Sequence, residues 1–259
     1  MFDFIPSFKP FESIFRYLAQ HGFWEDFVTF CSSFNGFSEA MLFKMAQATD
    51  DTIYMVLLSG FYGTLIGLPL GILLYVTRKG NILENDIVNF TFSFLTNIFR
   101  AIPFIILILW IKPFTVEVMD IITGQATFLG RQGVIVPLSV GVAPLIAKMI
   151  ENALLDIPKG LIEAARSMGA TPLQIIYKVL IPESLPIIIN SMTITLITLT
   201  GYIALSGAVG AGGLGQLAIQ YGYNSYKPAI MNTVVILLVI LVFLIQAIGN
   251  RIVRYVTHH

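Results

Sequence analysis

Apolar residues run through five long stretches of the chain, and charged residues collect in the short intervals between them. The first stretch, Thr52 to Thr77, holds 26 residues without a charge. At about 1.5 Å of rise per residue, that is a helix long enough to cross a hydrocarbon core of about 30 Å even when tilted. The second, residues 87–111, is interrupted only by Arg100, which is followed closely by Pro103. The third, residues 133–155, carries Pro137, Gly141 and Pro144, and ends near Lys148 and Glu151, one turn apart and read as a surface pair at the membrane interface. A charge-free run of 43 residues then extends from Ser184 to Tyr226, too long for one helix. It divides into a span over 185–205, rich in Thr193, Thr195, Thr198 and Thr200, and a glycine-rich loop over 206–226. The last span covers 228–250 and is followed by Arg251 and Arg254. Five helical spans define an all-α integral membrane protein, with residues 45–259 as the transmembrane domain.

Local patterns qualify this outline. Gly63, Gly67 and Gly71 recur every four residues and lay a smooth stripe on the first span, suited to close packing within the subunit or to dimerisation. Residues 112–131 read as a polar loop. Residues 1–44 are dense in phenylalanine, with Phe11, Ile14, Phe15 and Leu18 at helical spacing, as are Phe23, Phe27, Phe30 and Phe34. They read either as amphipathic helices lying in the membrane interface or as a sticky extension. Arg100 demands an explanation, because an arginine in mid-bilayer costs about 2.5–3.5 kcal/mol on insertion scales. It either anchors the helix, bonding carbonyls freed near the Pro103 kink, or faces a transport pathway.

The sharpest local signals lie between the third and fourth spans, in DIPKGLIEAARSMGATPLQIIYKVLIP, residues 156–182. One helix is expected from Pro158 to Met168, stopped by Gly169 in the left-handed conformation. A second starts at once: Thr171 caps it, Pro172 takes the first helical position, and Gln174 completes a capping box. Ala164, Ala165, Gly169 and Ala170 permit another surface to approach closely, while Glu163 and Arg166 offer polar contacts. A plain helical hairpin with alanines chosen for propensity has the same spacing.

Composition changes the picture by exclusion. With 56% hydrophobic and 12% charged residues and zero net charge, and a mean hydropathy of +0.81, the chain is no ordinary soluble domain, and no basic face for nucleic acid is indicated. The one cysteine, Cys31, excludes an internal disulfide, and the three histidines, His21, His258 and His259, give no zinc-binding spacing. Gly210-Ala211-Gly212-Gly213-Leu214-Gly215 satisfies G-x-G-x-x-G, but no acidic residue follows it, since Glu183 is the last carboxylate side chain. Gly210, Gly212, Gly213 and Gly215 read instead as flexible backbone at the outer mouth of a cavity, or as a connector. No Gly-Lys dipeptide exists, so the chain cannot carry the phosphate loop that binds ATP. Basic residues decide orientation. Eight (Arg78, Lys79, Lys148, Lys159, Arg166, Lys178, Arg251, Arg254) lie in segments 78–86, 148–182 and 251–259 on one side of the five spans, and the two loops on the opposite side carry three (Lys112, Arg131, Lys227). The C-terminus and the 156–182 hairpin are therefore expected in the cytoplasm and the N-terminus outside.

The hairpin resembles the loop of ABC importer permeases that reads EAA, three residues, Gly, nine residues, then I-x-L-P. Glu163-Ala164-Ala165, Gly169 and Val179-Leu180-Ile181-Pro182 hold those places, with Val179 and Ile181 as conservative departures. In that family the loop is a coupling helix seated in a cleft of a separate ATPase subunit. With NIFRAIPFIIL, GAVGAGGLGQ and the C-terminal span added, residues 45 to 259 look like the permease subunits of bacterial methionine ABC importers. The resemblance implies a second copy of this chain, two cytoplasmic ATPase subunits and an external methionine-binding protein. It also implies a chain without enzymatic activity or cofactor of its own, ATP and magnesium being held by the ATPase. A permease for another amino acid or small polar solute is the nearest alternative. A secondary transporter would be expected to carry carboxylates in its spans and an inverted repeat, and neither is found.

Overall fold

The computed structural model describes residues 39–257 except Gln125. The interfacial helices expected before residue 39 lie outside the described residues. Helix α1 (Glu39–Val76) starts well before the apolar stretch that announced it. Met45 and Ala48 are buried against Leu214, Leu217, Ile230 and Val234, so tertiary packing carries the helix through Lys44, Asp50 and Asp51, and it crosses the expected domain boundary at residue 45.

The span expected over 87–111 is broken. Helix α2 (Asp86–Ala101) opens on Asn85, whose side chain accepts from the Val88 N–H at 3.1 Å. It stops at Ile102, extended at φ −74°, ψ 124°, as the residue before a proline prefers. Helix α3 (Phe104–Trp110) then leaves at 104° to α2. The expected polar loop that follows is largely helical, α4 (Lys112–Thr123), and ends on Gly124 at φ 67°.

After a short turn, α5 (Gly130–Gly133), helix α6 (Ile135–Leu155) forms the centre of the bundle. Its most apolar window, counted with α5, is 61% buried, against 17% for the last helix, α11 (Pro228–Thr257). Two short helices, α7 (Lys159–Ser167) and α8 (Pro172–Ile175), form the hairpin. A wider turn at Ile176–Leu180 joins them to the long helix α9 (Ile181–Ser206). The stretch expected as a loop after residue 206 is instead a compact re-entry through α10 (Gly213–Leu217) and a second wide turn, Ala218–Tyr223. The described residues thus hold four helices long and apolar enough to cross a membrane, and a fifth if the α2–α3 pair counts as one span.

Two sequence features resolve into packing. The glycine stripe of α1 lies on α6: a Cβ on Gly67 would stand 2.7 Å from the Ala143 carbonyl, and one on Gly71 2.6 Å from that of Ala147. The helices meet backbone to backbone, which only glycine permits, so the stripe serves contact within the subunit. The threonines of α9 turn inward on their own helix. Thr193, Thr195, Thr198 and Thr200 each donate to the carbonyl four residues back, at 2.8 to 3.0 Å, which satisfies their hydroxyls in an apolar setting.

Candidate functional site

The hairpin is built by local chemistry. Helix α7 closes with the Ala170 N–H on the Ala165 carbonyl at 3.1 Å and the Gly169 N–H on that of Arg166 at 2.9 Å. This is a Schellman end, and Gly169 supplies its left-handed residue at φ 79°. At α8 the Thr171 N–H donates to Gln174 Oε1 at 2.9 Å, and the Gln174 N–H donates to Thr171 Oγ1 at 3.4 Å. The capping box expected from the sequence is present. Thr171→Ala removes one of its two bonds and should cost about 1 kcal/mol, read as roughly fivefold faster hydrogen exchange at the first amides of α8. Unchanged exchange would assign the start of α8 to Pro172 and the packing of Ile175 alone.

The two faces of α7 differ from the reading of its alanines. Ile162 and Ala165 are buried in the main core with Ile157, Ile175 and Leu180. Ala165 therefore holds the hairpin to the bundle and is withdrawn from any docking surface, and Ala170 is half-buried. Glu163, Ala164, Arg166 and Gly169 are exposed. Beside them stand apolar side chains that the motif did not single out: Leu161, Met168 at 82% exposure and Leu173 at 65%. Leu161, Ala164 and Met168 follow one another at helical spacing, a signal present in the sequence and masked by the stronger pattern of the alanines. An outward apolar stripe with a glutamate and an arginine alongside has the composition of a protein-docking face.

Just before the hairpin, Lys148 and Glu151 are no surface pair. Glu151 is 4% exposed; its Oε2 accepts from Lys148 Nζ at 2.6 Å, and its Oε1 lies 3.9 Å from an Arg78 guanidinium nitrogen. Two cations, Lys148 on α6 and Arg78 in the turn just past α1, hold one buried carboxylate and tie the end of α1 to α6 where the chain turns into α7. The carboxylate is the buried partner, while the Lys148 and Arg78 side chains keep 32% and 51% of their surface exposed, so the costly loss is that of the cations, which would leave Glu151 uncompensated.

Arg100 lies in the last turn of α2, where a cation favours the helix C-terminus. It is exposed and makes no hydrogen bond or ion pair with any described residue. Pro103 causes the break beside it: lacking an N–H, it leaves the Phe99 carbonyl without the partner a continued helix would supply. Across the break, the Phe104 ring stacks on Tyr202 of α9, with centroids 4.5 Å apart and planes within 4°.

The glycine turn at the far end of α9 is tightly packed, contrary to the flexible backbone expected. Gly210, Gly212 and Gly213 have φ of 84°, 93° and 72°, while Ala211 and Leu214 are buried. Gly215 lies so close to the Ala204 backbone that a Cβ has no room. The Leu214 N–H donates to Thr52 Oγ1 at 2.9 Å, and the Gly130 N–H to the Gly210 carbonyl at 3.1 Å. Arg131 completes a clasp to α1, 2.9 Å from Asp51, 3.2 Å from Asp50 and stacked over Tyr54 at 4.8 Å.

The described residues form a multi-pass helical bundle with a capped hairpin between two of its spans. The pattern of the binding-protein-dependent transport system inner membrane component matches residues 67–259. The chain belongs to that family and is a multi-pass inner-membrane protein. It is 50% identical over 214 residues to the probable D-methionine transport system permease protein of Vibrio cholerae, covering 83% of this chain and 92% of that one. It is 59% identical over 170 residues to the D-methionine transport system permease protein of Salmonella typhimurium, covering 66% and 76%. Among solved structures, an inward-facing conformation of a methionine ABC transporter superposes with a TM-score of 0.81 at 58% identity, over 85% of this chain and 99% of that one.

Proposed function

We propose that this chain is the transmembrane permease subunit of an ABC importer that carries methionine, in its L or D form, across the inner membrane by alternating access. Its likeness over most of its length to permeases named for D-methionine transport carries the reading of the solute. The outward apolar stripe of the hairpin supports the coupling role. The working assembly pairs this chain with a second copy, with two cytoplasmic ATPase subunits seated on Glu163, Ala164, Arg166, Gly169, Leu161 and Met168, and with an external methionine-binding protein. ATP and magnesium supply the energy on the ATPase subunits, and no cofactor is required on this chain.

When the ATPase pair closes, the two hairpins are drawn together. The rigid attachment of each hairpin transmits the movement, because Ile162 and Ala165 are embedded in the core and Glu151 clamps the end of α6 to α1. The solute gains access to one side or the other according to which state the ATPase pair favours, as a differential affinity requires. Arg100 and Pro103 lie beside the pathway, and the 210–215 turn, clasped by Arg131, forms the outer mouth.

Two measurements test this. Co-expressed with its ATPase and binding protein, the chain should support uptake of labelled methionine, and excess unlabelled methionine should compete where other amino acids do not; competition by another amino acid instead would reassign the solute. From the eight-to-three division of basic residues, a reporter fused after Arg254 should lie in the cytoplasm and one inserted near Gly124 outside. Both reporters on one side would remove the five-span arrangement.

A further inference from the structure

The break between α2 and α3 opens a cleft of about 160 Å³ whose walls include Phe99, Arg100, Phe104, Leu107, Leu145 and Tyr202. We propose that the carried amino acid rests in this cleft during transport, its carboxylate on the Arg100 guanidinium, its ammonium on carbonyls freed at the end of α2, and its apolar side chain along Leu107 and Leu145. The proposal rests on the methionine reading above and adds to it a site and a role for each group.

Three observations carry it. Arg100 is a cation roughly 20 Å along a membrane helix, counted at about 1.5 Å per residue from Asp86. It has no counter-charge among the described residues. An arginine serving only as an anchor would spend its donors on the protein, and Arg100 spends none on the described residues. A guanidinium so placed calls for an anion, and a planar carboxylate matches its paired N–H groups.

The second observation is the backbone beside it. Pro103 removes the donor that would have met the Phe99 carbonyl, and no interhelix or turn N–H reaches the Phe99, Arg100 or Ala101 carbonyls. These acceptors sit at the negative end of the α2 dipole, where an ammonium is stabilised. One helix end therefore presents a cation and a set of acceptors a few ångströms apart, the pairing a zwitterion needs.

The third is size and surface. The cleft is well below the roughly 300–1,000 Å³ of pockets for drug-sized ligands, which suits a small solute. One wall is aromatic: Phe104 stacks on Tyr202. A Cβ on Gly141 would stand 3.3 Å from the Phe104 ring and 3.2 Å from Leu107, so the absence of a side chain at Gly141 lets both residues seat against α6.

The test uses the complete transporter in proteoliposomes, with Cys31→Ser to remove the native thiol and Leu145→Cys as a reporter for a methanethiosulfonate label. Methionine should slow labelling, and methioninol, which keeps the amine and the thioether but lacks the carboxylate, should protect far less. Arg100→Gln should raise the methionine concentration for half-protection about tenfold or more, the value of one charge-assisted hydrogen bond. It should leave the weak methioninol effect unchanged, and Arg100→Lys should recover part of the loss. A merely structural role for Arg100 would shift both solutes alike and would overturn the proposal. Ile102→Cys, also on the wall of the cleft and half-buried, serves as the reporter if Leu145→Cys fails to assemble. Methionine uptake without protection at either cysteine overturns the cleft and leaves the transported solute standing; absence of both uptake and protection overturns both.

Discussion

A glutamate in place of Met168 should abolish methionine uptake and release the ATPase subunits while leaving the permease in the membrane. Met168 sits at the end of α7 with 82% of its surface exposed, continuing the stripe begun by Leu161 and Ala164. A side chain so placed supports nothing inside the subunit, so its replacement spares the fold. In a docked interface it becomes a desolvated apolar contact, and truncating such a central contact typically costs about 2 kcal/mol or more. Burying a carboxylate there adds a desolvation penalty of several kcal/mol unless a cation meets it. Affinity should therefore fall by well over a hundredfold. The measurement is recovery of the ATPase on a tagged permease, with uptake assayed in parallel. Gly169→Val provides a backbone counterpart: nothing lies within 4 Å of a Cβ there, but φ is 79°, so a β-branched residue is strained. Asparagine, which tolerates that conformation, should be milder. Normal recovery and uptake with Met168→Glu would make the hairpin an ordinary connector.

Gly67→Val should remove the protein from the membrane. The added Cβ would meet the Ala143 carbonyl and the Ile146 Cβ at 2.7 Å. Neither can swing aside, because one is backbone and the other is rooted on it. Ordinary overpacking costs about 1–3 kcal/mol; separating α1 from α6 here would also strip contacts along the stripe, from Gly63 to Gly71. Gly201→Val on α9 is the matched control, since nothing lies within 4 Å of its Cβ. The amount of monodisperse protein extracted from membranes should be near normal for Gly201→Val and negligible for Gly67→Val. Equal yields would show that α1 can slide on α6.

What could be read from the sequence follows the range of the interactions. The caps of the hairpin were legible because Gly169, Thr171 and Gln174 act on their nearest neighbours, and the chain alone encodes such caps. The spans were legible as apolar runs, but not where they begin or bend. Helix α1 extends through Asp50 and Asp51 because Arg131 and the α10 region meet it there, and no local pattern announces partners so far away. Glu151 was misread for the same reason: Lys148 is a turn off, whereas Arg78 and the burying helices are remote. Ala165 failed differently, since alanine looks alike on an inward and an outward face and only the neighbouring Ile162 marks the direction. Pro103 signalled a kink, and its 104° outcome depends on Phe104 finding Tyr202.

The bond from Leu214 to Thr52 spans 162 positions of the chain, and this gives biosynthesis an order. Helix α1 enters the bilayer long before the ribosome has made the turn that covers its charged end. Until residues 213–217 and 228–234 follow, Met45 and Ala48 present an uncovered apolar face that only the finished polypeptide can hide. A chain stalled after its fourth span would expose that face to the quality-control proteases of the membrane. Synthesis to the end is what closes it.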